Sequence, residues 1–524
     1  MKRDIASLDQ TFDLLVIGGG IYGAWTAYDA ALRGLRVALV EKSDWASGTS
    51  SASTKLIHGG LRYLEHRDFN LVRVSLDERR RLSELGPHRV RPLRFVLPVY
   101  KGARVGPVRL GLGLWLYDLL SGRNQPVPRH SSLSRARVAE ELPFLRRDGL
   151  RQAFTYGDCQ TDDARFTLEI VDGACRAGVV AINHAEVREI LTTRERASGA
   201  AVRDRLGADT IDVQASVIVN TAGPWAPNLG QEHCTDLRLV KGAHLVMPTL
   251  HTSDAVLLMT PDEQRVFFMI PWYGRTLVGT TDTDFSGNPD NVSVTETDVE
   301  YLLDSANKFL EVPCWSDQDI CGRFAGIRAL QNENERAPSD VTREWKLVHS
   351  SNGVLTSTGG KLTSARRDAS FIVDRVMAVL GKHSSERPTE SEPFPWAPRN
   401  FEAWFAESIK RGVSLGMDEE LATNLSLRYG KEVTTVHEIV EGDRSLADRI
   451  VSSLAFCKAE WVRGARDEMT MTLSDLTTRR VPLSVLTPLS RQILEEAADL
   501  VGNILGWDEE RRRAEVGTVL RPRS

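Results

Sequence analysis

Three glycines spaced Gly18-x-Gly20-x-x-Gly23, a carboxylate at Glu41, and a distant pair, Gly359-Gly360, running into Lys361, Leu362 and Thr363 are residues whose types and spacing could do chemistry. That chemistry is the holding of a pyrophosphate. A glycine turn offers several backbone N–H groups to one anion, and a helix opening there adds about half a positive charge. Gly18 permits the tight turn, Gly20 lets backbone approach the pyrophosphate, and Gly23 lets helix pack closely on strand. Glu41 stands 23 positions after Gly18, where a carboxylate accepts hydrogen bonds from a ribose. The expected ligand is an unphosphorylated adenosine dinucleotide, and this pattern does not separate FAD from NAD.

A βαβ unit must position these groups, since many glycine-rich turns do no more than join a strand to a helix. Phe12 to Ile17 is a short apolar run that suits a buried strand, Ala24 to Leu32 is Ala-rich and ends at Arg33-Gly34, and Arg36 to Val40 is a second strand ending on Glu41. The fingerprint lies near the start of the chain and the second glycine pair more than 300 residues later, so both ends of this long region are expected to close on one large cofactor. Strands are also expected over Val179 to Ile182, Val187 to Leu191 and Ser216 to Asn220, the last ending at Thr221-Ala222-Gly223, a turn that brings backbone near the dinucleotide. Leu245 to Val278 alternates apolar strand segments with turn residues and reads as an antiparallel meander.

With 524 residues, 41% hydrophobic, 26% charged and net charge −5, the chain reads as a soluble protein of two or three domains without a nucleic-acid surface. Six cysteines show no CxxC and no metal-ligand spacing, which predicts reduced thiols and no metal site. The opening MKRDIASLDQ has no apolar signal core, so secretion is not expected. No run reaches the roughly 20 apolar residues of a spanning helix. Val108 to Leu120, VRLGLGLWLYDLL, flanked by Arg104, Arg109 and Arg123, reads either as a helix lying in one leaflet or as an ordinary core helix. Asp68 to Leu85 reads as a solvent-facing helix whose run Arg79-Arg80-Arg81 is a solvated face. The Ser/Pro/Glu-rich residues 381–400 read as a linker, with helical periodicity from 401 to 524.

The run Thr49 to Glu65, TSSASTKLIHGGLRYLE, resembles the signature of the FAD-dependent, quinone-linked glycerol-3-phosphate dehydrogenases. The likeness continues in order through Tyr156 to Cys159, Asp162 to Arg165, Asn220 to Trp225, Lys241 to His244, Gly279 to Asp282, Gly326 to Arg328 and Gly359 to Thr363. It implies an α/β fold: an FAD-binding Rossmann-like domain of the glutathione-reductase type, an antiparallel β-sheet substrate or cap domain, and a C-terminal helical domain. The implied oxidoreductase region is 12–380, with FAD-binding parts at about 12–75, 150–243 and 320–380 and cap parts at about 76–149 and 244–319.

The resemblance implies oxidation of sn-glycerol 3-phosphate to dihydroxyacetone phosphate, electrons passing to a membrane quinone, peripheral attachment to the cytoplasmic face of the inner membrane, and leaves a homodimer open. Such a reaction needs a base, a stabiliser of developing alkoxide and a phosphate clamp. By motif, Arg62 and Arg343 are the clamp, Tyr63 orients the substrate, Arg328 sits nearest the reacting oxygen, and His244 takes the proton, with His58 as competitor. Lys361 is assigned to the flavin's pyrimidine edge. Cofactor contacts are implied for Gly18, Gly19, Gly20, Ile21, Gly23, Glu41, Lys42, Ser50, Ser51, Lys55, Leu56, His58, Gly59, Gly60, Val187, Ala222, Gly223, Trp225, Gly360, Lys361, Leu362 and Thr363. Thr358, Ala329 and Ser364-Ala365-Arg366 depart from the family pattern, which leaves a related polyol phosphate as the alternative substrate. An amine or amino-acid oxidase of the same fold is the rival reading.

Overall fold

A computed structural model describes all residues except 66–67, 123, 208, 230–236, 260–265, 313, 332–343, 384–385 and 522–524, and the side chain of Arg62 also lies outside it. The first unit forms as its sequence dictates. Strand β1 (Thr11–Ile17) runs into helix α1 (Ile21–Leu32) and strand β2 (Val37–Val40). The helix starts three residues earlier than its alanines alone suggest, because Gly20, in extended conformation, serves as N-cap.

β1 sits at the centre of a sheet ordered Lys346–His349, Leu355–Thr358, Thr210–Asn220, β1, β2, Val180–Ile182, with a hairpin, Ala185–Thr193 and Arg196–Asp204, off Thr210–Asn220. The inner strands are parallel and in register: Ile17 lies opposite Val40 on one side and Asn220 on the other. The carboxyl ends of three strands therefore meet at one edge, where an open α/β sheet receives its ligand. Helices Asp163–Arg176 and Ala365–Val379 pack on α1, with Trp25 edge-on to both Phe166 and Phe394.

A second sheet takes the remaining strands. Its order is Thr283–Asp284, Leu237–Pro248, Arg275–Gly279, Val266–Trp272, Ala255–Met259, Arg91–Tyr100, Leu150–Gln160, Leu56–Ile57, and Gly322–Gln331 pairs with Leu237–Pro248. The meander is present as its alternation predicts. Its antiparallel register sets His244 opposite Gly279 on one side and Phe324 on the other, and Val240 opposite Arg328. Residues 324, 326 and 328 then share one face of their strand, and that face looks towards the first sheet's ligand edge.

Two expectations are corrected by burial. Helix α2 (Phe69–Leu85) is capped by Asp68, yet it is not a solvated helix at Arg79, which is 1% exposed and bonds Asp158 at 2.6 Å, the Gly157 carbonyl and Gln125. A run of like charges misled because three successive helix positions point in different directions: Arg80 faces Glu84 at the surface while Arg79 turns inward. The stretch 381–400 connects the two regions but is no free spacer. Phe394 and Trp396 are core residues, Phe394 stacks on Phe166, and Trp396 bonds Glu169 through its backbone and Asp172 through its indole.

Helix α3 (Pro107–Ser121) is buried along one face only. Leu110, Leu114 and Tyr117 are buried, while Val108 (87%), Leu112 (65%), Trp115 (55%) and Leu119 (60%) form an exposed apolar stripe. No helix among the described residues is long and apolar enough to cross a membrane. The helical C-terminal region docks through buried ion pairs, including Arg165 with Glu468 at 2.6 Å and Arg480 with Asp44.

Candidate active site

One cavity of about 1900 Å³ runs along the sheet edge, from Glu41 and Val187 past the Gly18–Gly20 turn to His58, Lys361 and Arg328. Gly18 has φ +107°, and a Cβ there would stand 2.8 Å from the Thr221 carbonyl oxygen, so the turn needs glycine on both counts. Gly23 does not line the cavity. Its role is packing, since a Cβ would fall 1.9 Å from the Gly18 carbonyl. Gly19 also faces away from the cavity; its N–H donates to Glu41 Oε2 at 2.7 Å, and Ser43 N–H donates to Oε1 at 2.9 Å. Burial raises the Glu41 pKa and these two backbone donors oppose that rise. Each oxygen keeps a lone pair for a ribose hydroxyl.

The two glycine turns, more than 300 residues apart, meet. Tyr22 Oη bonds Asp368 at 2.7 Å and accepts the Lys361 N–H at 3.1 Å, and His58 N–H donates to Thr363 Oγ1 at 3.2 Å. Lys361 Nζ lies 3.7 Å from the Tyr63 ring centroid, both residues on the cavity wall.

The groups around this cavity suit a flavin dinucleotide. The N-terminus of α1 points into it with no side-chain cap, Ile21 N–H donating to Ser50 Oγ at 2.9 Å. Trp225 Nε1 is buried on the cavity wall with no hydrogen-bond partner among the described residues, and Lys42 Nζ sits 4.2 Å over that indole ring. Ser51, Leu56, Gly60, Ala222, Gly223, Gly360 and Leu362 also line the cavity. Lys55 lines it too, with its ammonium held by Asp163 at 2.5 Å beside the Trp272 ring, whereas Gly59 does not line it and packs against Leu76 and Tyr117.

At the far end Arg328 is held from three sides. Nη1 donates to Asp282 Oδ1 at 2.6 Å and to the Thr281 carbonyl at 3.2 Å, and Nη2 to Thr280 Oγ1 at 3.0 Å. Gly242 leaves it room, for a Cβ there would lie 2.4 Å from Nη2. His244 stands one layer behind the wall, 0% exposed, with Nε2 3.1 Å from Thr54 Oγ1, a cavity-lining hydroxyl, and its ring stacked on Phe324. Burial first, then the charges of Arg328 and Lys55, push its pKa well below the usual 6.5, so the imidazole is neutral. Arg343 and the Arg62 side chain lie outside the described residues. Of the residues departing from the family pattern, Arg366 is locked in a buried pair with Glu78 and does not line the cavity.

Sequence reasoning gave no role to Thr54, Thr280, Asp282 and Phe324. The run Gly279-Thr280-Thr281-Asp282 was a visible signal, because a carboxylate one strand away from an arginine is its natural partner.

Two family models match the chain: "FAD dependent oxidoreductase" over residues 13–366 and "C-terminal domain of alpha-glycerophosphate oxidase" over 389–512. The aerobic glycerol-3-phosphate dehydrogenase of Bacillus subtilis is 35% identical, covering 97% of this chain and 95% of its own. Glycerol-3-phosphate dehydrogenase 2 of Mycobacterium tuberculosis is 34% identical over 95% of this chain and 86% of its own. The glycerol-3-phosphate dehydrogenase of Bacillus halodurans, solved with FAD, superposes with TM-score 0.81 at 28% identity, covering 98% of this chain and 95% of that one. An L-alpha-glycerophosphate oxidase of Mycoplasma pneumoniae shares the fold at TM-score 0.56 and 17% identity over 72% of this chain and 98% of its own. With FAD as its cofactor, the chain belongs to the FAD-dependent oxidoreductases and, among them, to the glycerol-3-phosphate dehydrogenase family.

Proposed function

We propose that this protein oxidises the secondary alcohol of sn-glycerol 3-phosphate to dihydroxyacetone phosphate and passes the electrons to a membrane quinone. The observation that carries this reading is the fixed Arg328 guanidinium, standing over the far end of the same cavity that begins at the dinucleotide turn. Bound FAD supplies the hydride acceptor. The Gly18–Gly20 turn and the N-terminus of α1 would hold the pyrophosphate, Glu41 and Val187 the adenosine, and His58, Gly60 and residues 360–363 the isoalloxazine end. Arg328 stabilises negative charge on the substrate oxygen, and Arg62 and Arg343 grip the phosphate. The hydroxyl proton goes to Thr54 Oγ1 as Thr54 donates its own to His244 Nε2, so the neutral imidazole is the acceptor. Anaerobic mixing tests the assignment: sn-glycerol 3-phosphate should bleach the flavin and glycerol should not. Equal bleaching by both would remove the phosphate clamp, and bleaching by a different polyol phosphate alone would replace the substrate.

Lys361 carries a positive charge beside the turn that leads into helix Ala365–Val379, and both favour an anionic reduced flavin. Lys361→Ala is expected to lower the flavin midpoint potential in spectroelectrochemical titration. An unchanged potential would refute that role.

The exposed stripe of α3 rests in the cytoplasmic leaflet of the inner membrane, the apolar surface a quinone must leave, and Leu110, Leu112 and Leu116 of the same helix line the cavity. Burying one such side chain contributes about 1.5–3 kcal/mol. Val108→Asp with Trp115→Asp, two stripe residues that do not line the cavity, should therefore weaken sedimentation with phospholipid vesicles at least about tenfold while leaving flavin bleaching intact. Vesicle binding equal to that of the unmodified chain would place the stripe elsewhere.

A further inference from the structure

A π-helical turn, Leu476–Arg480, brings the C-terminal region into the wall of the cofactor cavity, where Thr478 and Arg479 stand with Glu41, Ser43 and Val187 of the nucleotide-binding unit. Arg479 Nε donates to Asp44 Oδ2 at 2.6 Å and its Nη2 to Asp475 Oδ1 at 2.9 Å. Arg480, fully buried, donates Nη2 to Asp44 Oδ1 at 2.8 Å, and Asn183 Nδ2 reaches the same oxygen at 3.0 Å. Burial would raise the Asp44 pKa, but the two guanidiniums outweigh it and hold the carboxyl well below its ordinary range.

Asp44 lies three residues beyond Glu41, and the loop between them is tied down at every step. Ser43 N–H donates to the Glu41 carboxylate at 2.9 Å, Ala185 N–H to the Glu41 carbonyl at 2.7 Å, and His184 N–H to the Ser43 carbonyl at 2.6 Å. His184 Nε2 in turn lies 2.9 Å from Asp475 Oδ2. Asp44, His184 and Asp475 bring ligand atoms within 4.8 Å of one another, a spacing a metal could use. Arg479 and Arg480 already supply the positive charge there, and the group is an ion-pair clasp.

From this juxtaposition we infer that Arg479 is a positioning residue for the adenosine half of FAD: reaching across from the C-terminal region, it pins Asp44 and so holds the Glu41–Asp44 loop in the shape that receives the ribose. The helical region is then part of the cofactor site and not a separate appendage. The inference rests on Glu41 marking the adenosine end. Breaking a charge-assisted bond of this kind is expected to change affinity about tenfold or more.

The test uses the full-length protein freed of flavin, titrated calorimetrically with FAD and with ADP, in Arg479→Gln, Arg479→Lys and Glu41→Gln. Arg479→Gln should weaken FAD and ADP by a common factor of at least about ten and shrink the rise in Tm that FAD confers, while the FAD-saturated variant keeps its flavin midpoint potential. Arg479→Lys, able to satisfy one carboxylate but not both, should fall between, and it is the variant read if Arg479→Gln does not fold. A purely structural role would instead lower the Tm of flavin-free and flavin-loaded protein alike and leave affinity within about twofold, which overturns the inference. If Glu41→Gln weakens ADP and neither Arg479 variant does, the inference alone fails. If no variant weakens ADP, it fails together with the placement of adenosine at Glu41.

Discussion

Arg328→Ala is expected to lower kcat/KM for sn-glycerol 3-phosphate about a thousandfold, with most of the loss in kcat. Losing a fixed donor aimed at developing negative charge typically costs about 10²–10³ in rate, and Arg328 is fixed by Asp282, Thr280 and the Thr281 carbonyl. The substitution also takes the Arg328 guanidinium away from Asp282, which is 8% exposed. A modest loss of stability, about 1–3 kcal/mol, should therefore accompany the kinetic effect. Pairing the variant with Asp282→Asn separates the two contributions. Steady-state kinetics checks the outcome: a rise in KM at unchanged kcat would make Arg328 a phosphate anchor and not a stabiliser of the reacting oxygen.

The second large effect is expected at His244. His244→Asn should cut kcat at least about a hundredfold, and Thr54→Val should do the same while Thr54→Ser retains most activity, because the hydroxyl is the link between cavity and imidazole. The sign of the pH dependence follows from the depressed pKa. A histidine whose pKa is pushed below 6.5 by burial and by Arg328 and Lys55 stays deprotonated, and competent as acceptor, down through that value. The profile of kcat/KM should therefore show no acid limb with a midpoint at or above 6.5 arising from this residue, and activity should fall only at lower pH. A limb at or above 6.5 that vanishes in His244→Asn would show an imidazole in ordinary contact with water. A change of only about twofold in kcat would remove His244 from the mechanism.

The dinucleotide unit was legible in the sequence because its constraints are local. Gly18, Gly20, Gly23 and Glu41 act within one strand-turn-helix-strand unit, and each demands a residue type that can be read in place. The meeting of the 18–23 and 359–363 turns was legible from chain order and the family resemblance together. What local reasoning could not reach is set by register and by burial across long separations. Thr54 and His244, or Arg479 and Asp44, are joined by the folding of two sheets and a helical region on one another, and nothing in the neighbourhood of either residue marks its partner. Arg79 shows the same limit in reverse: its neighbours in sequence are charged, but its environment is Asp158 and Tyr117 in the interior. Proline content likewise marks 381–400 as non-helical, while Phe394 and Trp396, the residues that dock it, are ordinary aromatics until a core is built around them.

A crystal structure with FAD and a glycerol 3-phosphate analogue measures the central claim most directly. The adenosine ribose should lie on Glu41, the pyrophosphate on the turn before α1, the isoalloxazine between residues 58–60 and 360–363, and the analogue's secondary oxygen against Arg328 with Thr54 in hydrogen-bond reach. An isoalloxazine found at the Glu41 end, or an analogue bound away from Arg328, would contradict the account.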